Sequence, residues 1–449
     1  MINLKGSGGM SEHVYDAIGI GIGPFNLGFA ALTDELDEVD VLLFDRKEEF
    51  DWHPGMLIDG TTLQVPFFAD LVSMADVKNK FSFLNYLQIH HRMYHFYFLE
   101  KFHIPRKEYN HYCQWVSKQL DSCRFGYEVV DVSLHQSGKG ASVYLVQVQH
   151  VRTLEIDTFL TKHLVMGIGS VPSVPKPFKS MLSETIFHSS DYMKKKERAV
   201  QGKSIAVIGS GQSAAEIFLD LAKEQDKHNY ELSWYTRSNG FFPMEYSKLG
   251  LEYFSPDYTD FFYRLTPEKK DELLKDQALL YKGISAETIS EIYDVLYEQS
   301  IGNQQPAHLQ AMSRINHLEM NGDVCFVQGS HTVTKESFDF ESEVIILGTG
   351  YTQNMPSFLP ESLLNKDPKN RLEITEDYRL GTKHNSGNEI FVQNGELHTH
   401  GVGAPDLGLG AHRNAVIINQ IAKKEVYPVQ PKNVFQSFGV VKKPALITN

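Results

Sequence analysis

The chain has 449 residues, 42% apolar and 22% charged, with a formal net charge of −13. That length is too great for one ordinary domain, and the balance is that of a folded globular protein, so two or three domains are expected. The acidic surplus argues against nucleic acid or an anionic membrane as the main partner and mildly favours a cationic ligand.

Residues 1–9 read as a loose leader ahead of Met10, without the charged-then-apolar-then-cleavage pattern of a secretory signal. No run approaches the roughly 18–20 apolar residues of a membrane span, and a cytoplasmic location is the default expectation. Residues 15–20 form a strand-like run that opens into Gly21-Ile22-Gly23-Pro24-Phe25-Asn26. A helical pattern follows, and then a second strand at 39–44 ending at Asp45. This is a βαβ unit of the length dinucleotide binding needs. Residues 50–76, rich in Pro, Gly and Phe, read as an ordered loop region. Helices are expected at 81–91 and 107–120, a hairpin at 129–148 and an apolar strand at 163–168. Pro172, Pro175 and Pro177 mark a domain boundary. A second βαβ signal follows: a strand at 204–208, the turn Gly209-Ser210-Gly211-Gln212-Ser213-Ala214, a helix at 215–223 and a strand at 231–235 ending at Thr236-Arg237. Residues 241–300 look helical and irregular. A strand-rich part ends at 343–347, ahead of Gly348-Thr349-Gly350-Tyr351.

The expected architecture is α/β, with two Rossmann-like dinucleotide-binding domains and a smaller helical region. The first domain takes residues 10–175 and a return segment with the C-terminal tail at 343–449. The second takes 176–240 and 301–342, and the helical substrate region takes 241–300.

One glycine-rich turn is weak evidence; two, each between a strand and a helix, are the context the motif requires. In each, the first glycine (Gly21, Gly209) makes the tight turn and the second (Gly23, Gly211) lets backbone approach a pyrophosphate. The helix N-terminus, at Pro24 and at Gln212-Ser213, supplies N–H groups and a positive dipole end. The third position, Asn26 or Ala214, needs only a compact residue. Asp45 can accept hydrogen bonds from both ribose hydroxyls and would repel a 2′-phosphate, so the first site suits FAD or NAD. The second site has no carboxylate at that place. Arg237 there can fork onto a 2′-phosphate, which suits NADPH. Two such sites imply hydride transfer from NADPH to flavin. Cys113, Cys123 and Cys325 form no CxxC pair and no metal-ligand spacing, which argues against a dithiol reductase and a metal site. Molecular oxygen is the remaining common electron acceptor.

The sequence resembles the flavin-dependent N-hydroxylating monooxygenases that act on ornithine, lysine and diamines in siderophore assembly. The carriers span most of the chain: 16–27 (DAIGIGIGPFNL), 52–56 (WHPGM), 63–65 (LQV), 70–72 (DLV), 82–87 (SFLNYL), 106–115, the second glycine turn, Ile292-Tyr293, 348–351 and Thr399-His400-Gly401. GTGY at 348–351 stands where the family more often has ATGY. His188 and Tyr192 partly match a fingerprint of related flavin monooxygenases, with its upstream Phe and Gly missing. The resemblance implies that NADPH reduces the flavin, that O₂ adds as a C4a-hydroperoxide shielded by retained NADP⁺, and that a neutral amine attacks the distal oxygen. It also implies that Trp52, His53, Met56 and Gln64 line the flavin, and that the protein is a homo-oligomer, often a tetramer.

The chain departs from the amino-acid hydroxylases of that family at the place that binds the substrate carboxylate. Those enzymes typically carry a lysine in an FLKDL-like segment; the matching stretch here is Phe67-Phe68-Ala69-Asp70-Leu71. Leu251 stands where ornithine hydroxylases place an asparagine, and Leu280 falls near a second such position. An unpartnered buried carboxylate is costly, so the expected substrate is an amine without one: cadaverine, putrescine, 1,3-diaminopropane or histamine. Glu252 is a candidate partner for a distal ammonium, and Gln64 and Ala69 complete the expected pocket. An L-lysine or L-ornithine hydroxylase, with Lys248 standing in for the missing lysine, is the alternative within this chemistry. A non-catalytic FAD-binding redox sensor, and an NADPH oxidase or carbon-oxygenating enzyme, are the alternatives outside it.

Overall fold

The computed structural model describes residues 10–136, 142–301, 307–383 and 387–440; the expected leader at 1–9 and the end of the C-terminal tail lie outside them. The apolar run at 15–20 becomes part of the strand Met10–Ile20, at the middle of a sheet. Val41–Asp45 and Ile156–Met166 flank it, both parallel. Cys123–Phe125 extends one side. The antiparallel strands Ser142–His150 and Tyr127–Gln136, the expected hairpin, extend the other. Residues 17–20 and 41–45 are buried, and strands covered on both faces read as continuous apolar runs rather than alternating ones. Apolar side chains of the helices Pro24–Thr33, Arg106–Ser117 and Gly410–Ala422 form the core on one face. The hairpin, residues 359–380 and Ile390–Val392 close the other.

A second sheet is parallel throughout, in the order His308–Gln310, Glu231–Tyr235, Ser204–Gly209, Val344–Gly348, Ile186–His188. The helices Gln212–His228 and Ala286–Gln299 pack on one face. The antiparallel strands Ser313–Asn321, Val324–His331 and Ser337–Ser342 cover the other. Both glycine turns therefore sit at the carboxyl ends of central parallel strands, where such sheets bind ligands.

One expected boundary moves. The return to the first sheet at residue 343 is not observed, because Val344–Gly348 is a central strand of the second sheet, between Ser204–Gly209 and Ile186–His188. The chain rejoins the first sheet at Ile390–Val392, beside Ile156–Met166. An apolar strand buried on both faces fits the centre of either sheet, so its local pattern does not say which one it joins.

The 241–300 region is helical as expected: Lys248–Leu251, Pro256–Tyr263, Pro267–Asp276, Ala278–Tyr281 and Ala286–Gln299. Ser247, Ser255, Thr266 and Ser285 cap four of these helices through side-chain oxygens, which satisfies N–H groups the first turn leaves open. Among the described residues no helix is long and apolar enough to cross a membrane, and no His, Cys, Asp and Glu cluster is placed to hold a metal.

Candidate active site

The first glycine turn is set by backbone crowding. Gly21 has φ +84°, and a Cβ there would stand 2.5 Å from the Gly167 carbonyl oxygen. Gly23 caps the helix Pro24–Thr33 without any side-chain hydrogen bond, and a Cβ on it would meet no atom within 4 Å. Bare N–H groups thus point from a helix N-terminus into open space, the arrangement that holds a pyrophosphate. Asp45 accepts from the Ile22 N–H at 2.8 Å and the Lys47 N–H at 2.9 Å. It fixes the turn and keeps lone pairs for ribose hydroxyls. Asn26 does more than stay compact. Fully buried, it donates to the Gly21 and Val165 carbonyls at 2.7 and 3.1 Å and accepts from Gln393 at 2.7 Å. It ties the turn to the neighbouring strand.

The second turn is tighter. A Cβ on Gly209 would lie 2.2 Å from the Gly348 carbonyl oxygen, and one on Gly348 would lie 2.8 Å from the Ala214 Cβ. The buried Ala214 is therefore the compact third residue that the packing needs. Gly211 caps Gln212–His228 with no side-chain bond, leaving the N-terminus open, and Ser213 is half-buried beside it. The Gln212 side chain turns away from the open helix N-terminus. Its Nε2 donates to Glu216 and Thr288 at 2.8 and 3.0 Å, and its Oε1 accepts from the Ser285 N–H at 2.7 Å. Both amide ends are engaged in joining two helices. Arg237 is exposed just past the strand Glu231–Tyr235, and among the described residues no carboxylate pairs with it.

The 50–76 loop lies between the two halves. The Trp52 N–H donates to Asn110 at 2.8 Å, and the Trp52 ring meets Tyr109 at 5.2 Å and His53 at 4.9 Å. His53, in left-handed backbone at φ 49°, is exposed and edges the Tyr351 ring at 5.7 Å. Tyr351 in turn meets His188 at 5.2 Å, and His188 Nε2 reaches the Gly350 carbonyl at 3.0 Å. The segment at 188–192 is thus a packed junction between the halves. Met56 is not open to a flavin. It is buried in the core with Phe187, Tyr192 and Ala199, as a packing group against the second sheet. Beneath the junction, Arg106 forks onto Glu216 at 2.7 and 2.8 Å. Burial pushes the Glu216 carboxyl up, and the Arg106 charge opposes that shift.

Gln64 places a buried Nε2 with no partner among the described residues, and its carbonyl accepts the Tyr246 hydroxyl at 3.4 Å. Burial raises the Tyr246 phenol to about 12. An orphaned buried donor, an open helix N-terminus and a carboxylate at the end of the next strand fit a flavin dinucleotide. Ala69 is buried beside the turn Leu407–Leu409, which Asp406 caps by accepting the Gly408 N–H at 2.7 Å. Leu280 packs against Tyr258, Phe262 and Val402, so it borders the same 401–409 segment. Leu251 and Lys248 are both exposed. The Glu252 carboxylate, expected to face a distal ammonium, instead accepts the Phe435 and Gln436 N–H groups at 3.0 and 2.9 Å and the Gln436 side chain at 3.0 Å, and so pins the C-terminal segment.

A family model described as L-lysine 6-monooxygenase/L-ornithine 5-monooxygenase matches residues 13–353. The chain belongs to this family. A putrescine N-hydroxylase of Acinetobacter baumannii is 42% identical over 431 residues, covering 96% of this chain and 94% of that protein. The rhizobactin siderophore biosynthesis protein RhbE of Rhizobium meliloti is 44% identical over 436 residues, covering 95% of each. Among solved structures, FAD-bound DfoA of Erwinia amylovora, the cadaverine monooxygenase of the desferrioxamine pathway, matches with a TM-score of 0.92 at 36% identity. The match covers 96% of this chain and 100% of that one. The fold of this lysine/ornithine monooxygenase family accounts for the two sheets with a glycine turn on each. Its motifs left four side chains without a role that the geometry brings forward: Arg106, Glu216, Tyr246 and Asp406. Arg106 opens a recognisable motif segment. The other three carry no local signal and meet the site only through chain folding.

Proposed function

We propose that this chain is an NADPH- and O₂-dependent flavoprotein monooxygenase that hydroxylates one nitrogen of a small diamine, towards a hydroxamate-type siderophore. The net reaction is R–NH₂ + O₂ + NADPH + H⁺ → R–NHOH + H₂O + NADP⁺. FAD supplies the activation of O₂ when bound. The protein's own groups hold and orient. Asp45 takes the ribose hydroxyls, and the N-terminus of Pro24–Thr33 takes the pyrophosphate. Gln64, with its unpartnered buried Nε2, and Trp52 and His53 would hold the flavin. On the second sheet the backbone at Gly211 and Ser213 faces the NADPH pyrophosphate and Arg237 takes the 2′-phosphate. Residues 241–300 close over the amine. Only a neutral amine is nucleophilic, and a free alkylamine has a pKa of about 10.4. Desolvation against apolar groups such as the buried Ala69 methyl would favour the neutral form.

The observation that carries the choice of amine is the buried methyl of Ala69, where the amino-acid hydroxylases place a lysine. An α-carboxylate held there would be desolvated without a cation, at a cost of several kcal/mol. The exposed Lys248 offers no replacement. Likeness to putrescine and cadaverine hydroxylases across nearly the whole chain supports the same reading. We also propose a homo-oligomer, supported by the exposed aromatic helix Met93–Leu99. A cytoplasmic location, where NADPH is supplied, suits the three free cysteines.

The test is product identification with putrescine, cadaverine, 1,3-diaminopropane, histamine, lysine and ornithine supplied in turn. Hydroxylamines should form from one or more of the first three. Turnover of lysine or ornithine alone would overturn the proposal.

A further inference from the structure

The turn after Thr399-His400-Gly401 brings a carboxylate to the place where the family's lysine is missing. A Cβ on Gly408 would stand 2.8 Å from Asp406 Oδ1 and 3.9 Å from the Ala69 Cβ. Those distances put the carboxylate within one small side chain of the buried methyl. Asp406 Oδ1 accepts the Gly408 N–H, and among the described residues no cation forms an ion pair with Asp406. Arg413, whose charge acts on it, forms its ion pair elsewhere and keeps Nε and Nη1 without a partner among the described residues. Its guanidinium meets Glu396 at 3.0 Å and the Ala404 carbonyl at 2.7 Å, and lies between the Phe25 and Tyr378 rings at 4.8 and 5.4 Å. Tyr246, which donates to the Gln64 carbonyl, feels the charge of Asp406. Gly408 thus neighbours both Ala69 and Asp406, and Tyr246 links the charge of Asp406 to Gln64. Desolvation pushes the Asp406 carboxyl up to about 6, against the opposing pull of the Gly408 N–H and Arg413. A desolvated carboxylate with no counter-ion is what a cationic ligand would relieve.

We propose that Asp406 receives the distal ammonium of the diamine, and that the Ala69/Asp406 pair selects a second cation where the amino-acid hydroxylases select a carboxylate. This rests on the diamine reading above and names the group that recognises the end of the substrate that does not react. Asp406 is here a positioning residue, because it touches the unreactive amine.

The test compares each diamine with the monoamine of the same carbon count: putrescine with butylamine, cadaverine with pentylamine. In Asp406→Asn the carboxamide oxygen still accepts the Gly408 N–H, so the turn keeps its cap. The ratio of diamine to monoamine kcat/KM should fall at least tenfold, mainly through a higher diamine KM, and Asp406→Glu should restore part of it. An unchanged ratio would overturn the proposal. Ala69→Lys gives a second readout through a site Asp406 does not cap. The new ammonium should pair with Asp406 and abolish diamine selection, and an undiminished diamine preference would count against the proposal. Failure is separable from failure of the parent reading. If wild-type protein hydroxylates only lysine or ornithine, both fall. If it hydroxylates diamines and Asp406→Asn keeps the ratio, this inference alone falls.

Discussion

Replacing Arg237 by alanine removes the one cation just past the end of the strand Glu231–Tyr235, at the place where a nucleotide's 2′ substituent would lie. Nothing in the fold depends on it, since the side chain is exposed and no carboxylate among the described residues pairs with it. A hydrogen bond to a charged group contributes about 1.5–3 kcal/mol. Exposure lets water and salt compete, so the lower part of that range applies, about 1.5–2 kcal/mol, or roughly ten- to thirtyfold in affinity. The assay is anaerobic stopped-flow reduction of the flavin with NADPH and, separately, NADH. The apparent Kd for NADPH should rise by that factor with the limiting rate retained, while the value for NADH stays put. The gap should widen at low ionic strength. Equal weakening of both nucleotides would refute the reasoning, because Arg237 would then act on the turn rather than on the 2′-phosphate. A flavin that NADPH does not reduce in the wild-type protein would refute the enzyme reading as a whole and favour a redox sensor.

Three further outcomes follow from the same geometry. Asp45→Ala removes both the ribose acceptor and the partner of the Ile22 N–H; FAD content after purification should drop, with an affinity loss of roughly tenfold or more for a charge-assisted bond, and full FAD occupancy would contradict it. Glu216→Ala leaves the Arg106 guanidinium buried without its counter-charge, a change that costs about 3–5 kcal/mol, so the midpoint of thermal unfolding followed by flavin fluorescence should fall clearly, and an unmoved midpoint would count against the pair. Asp406 holds an ammonium only when ionised, and burial raises its pKa to about 6, so the diamine-to-monoamine ratio should be full above that pH and fall as pH drops through it. A flat ratio would contradict this.

The glycine turns were legible because a tight, close-approach turn admits almost one residue type, and Gly21 and Gly209 both show the crowding that excludes a Cβ. The places of Asp45 and Arg237, at and just past strand ends, were legible because they are counted along the strand itself. Much of the rest depends on partners far away in the chain. Gln212 looked like a cofactor residue from its place in the turn, yet its amide is bound by Ser285 and Thr288, some seventy residues on. Glu252 looked free until residues 435 and 436 supplied it with N–H donors. The strand Val344–Gly348 pairs with Ser204–Gly209 across about 140 residues, and an apolar run does not name its sheet. The turn that carries Asp406 meets Ala69 over more than 330 residues and bears no periodic mark of it.

The most direct measurement is the yield of hydroxylamine per NADPH consumed, with putrescine or cadaverine and isotopically labelled O₂. A yield approaching one-to-one, with label in the N–O bond, is the predicted result. NADPH consumption that ends in hydrogen peroxide with every amine, or a product without the label, would contradict it.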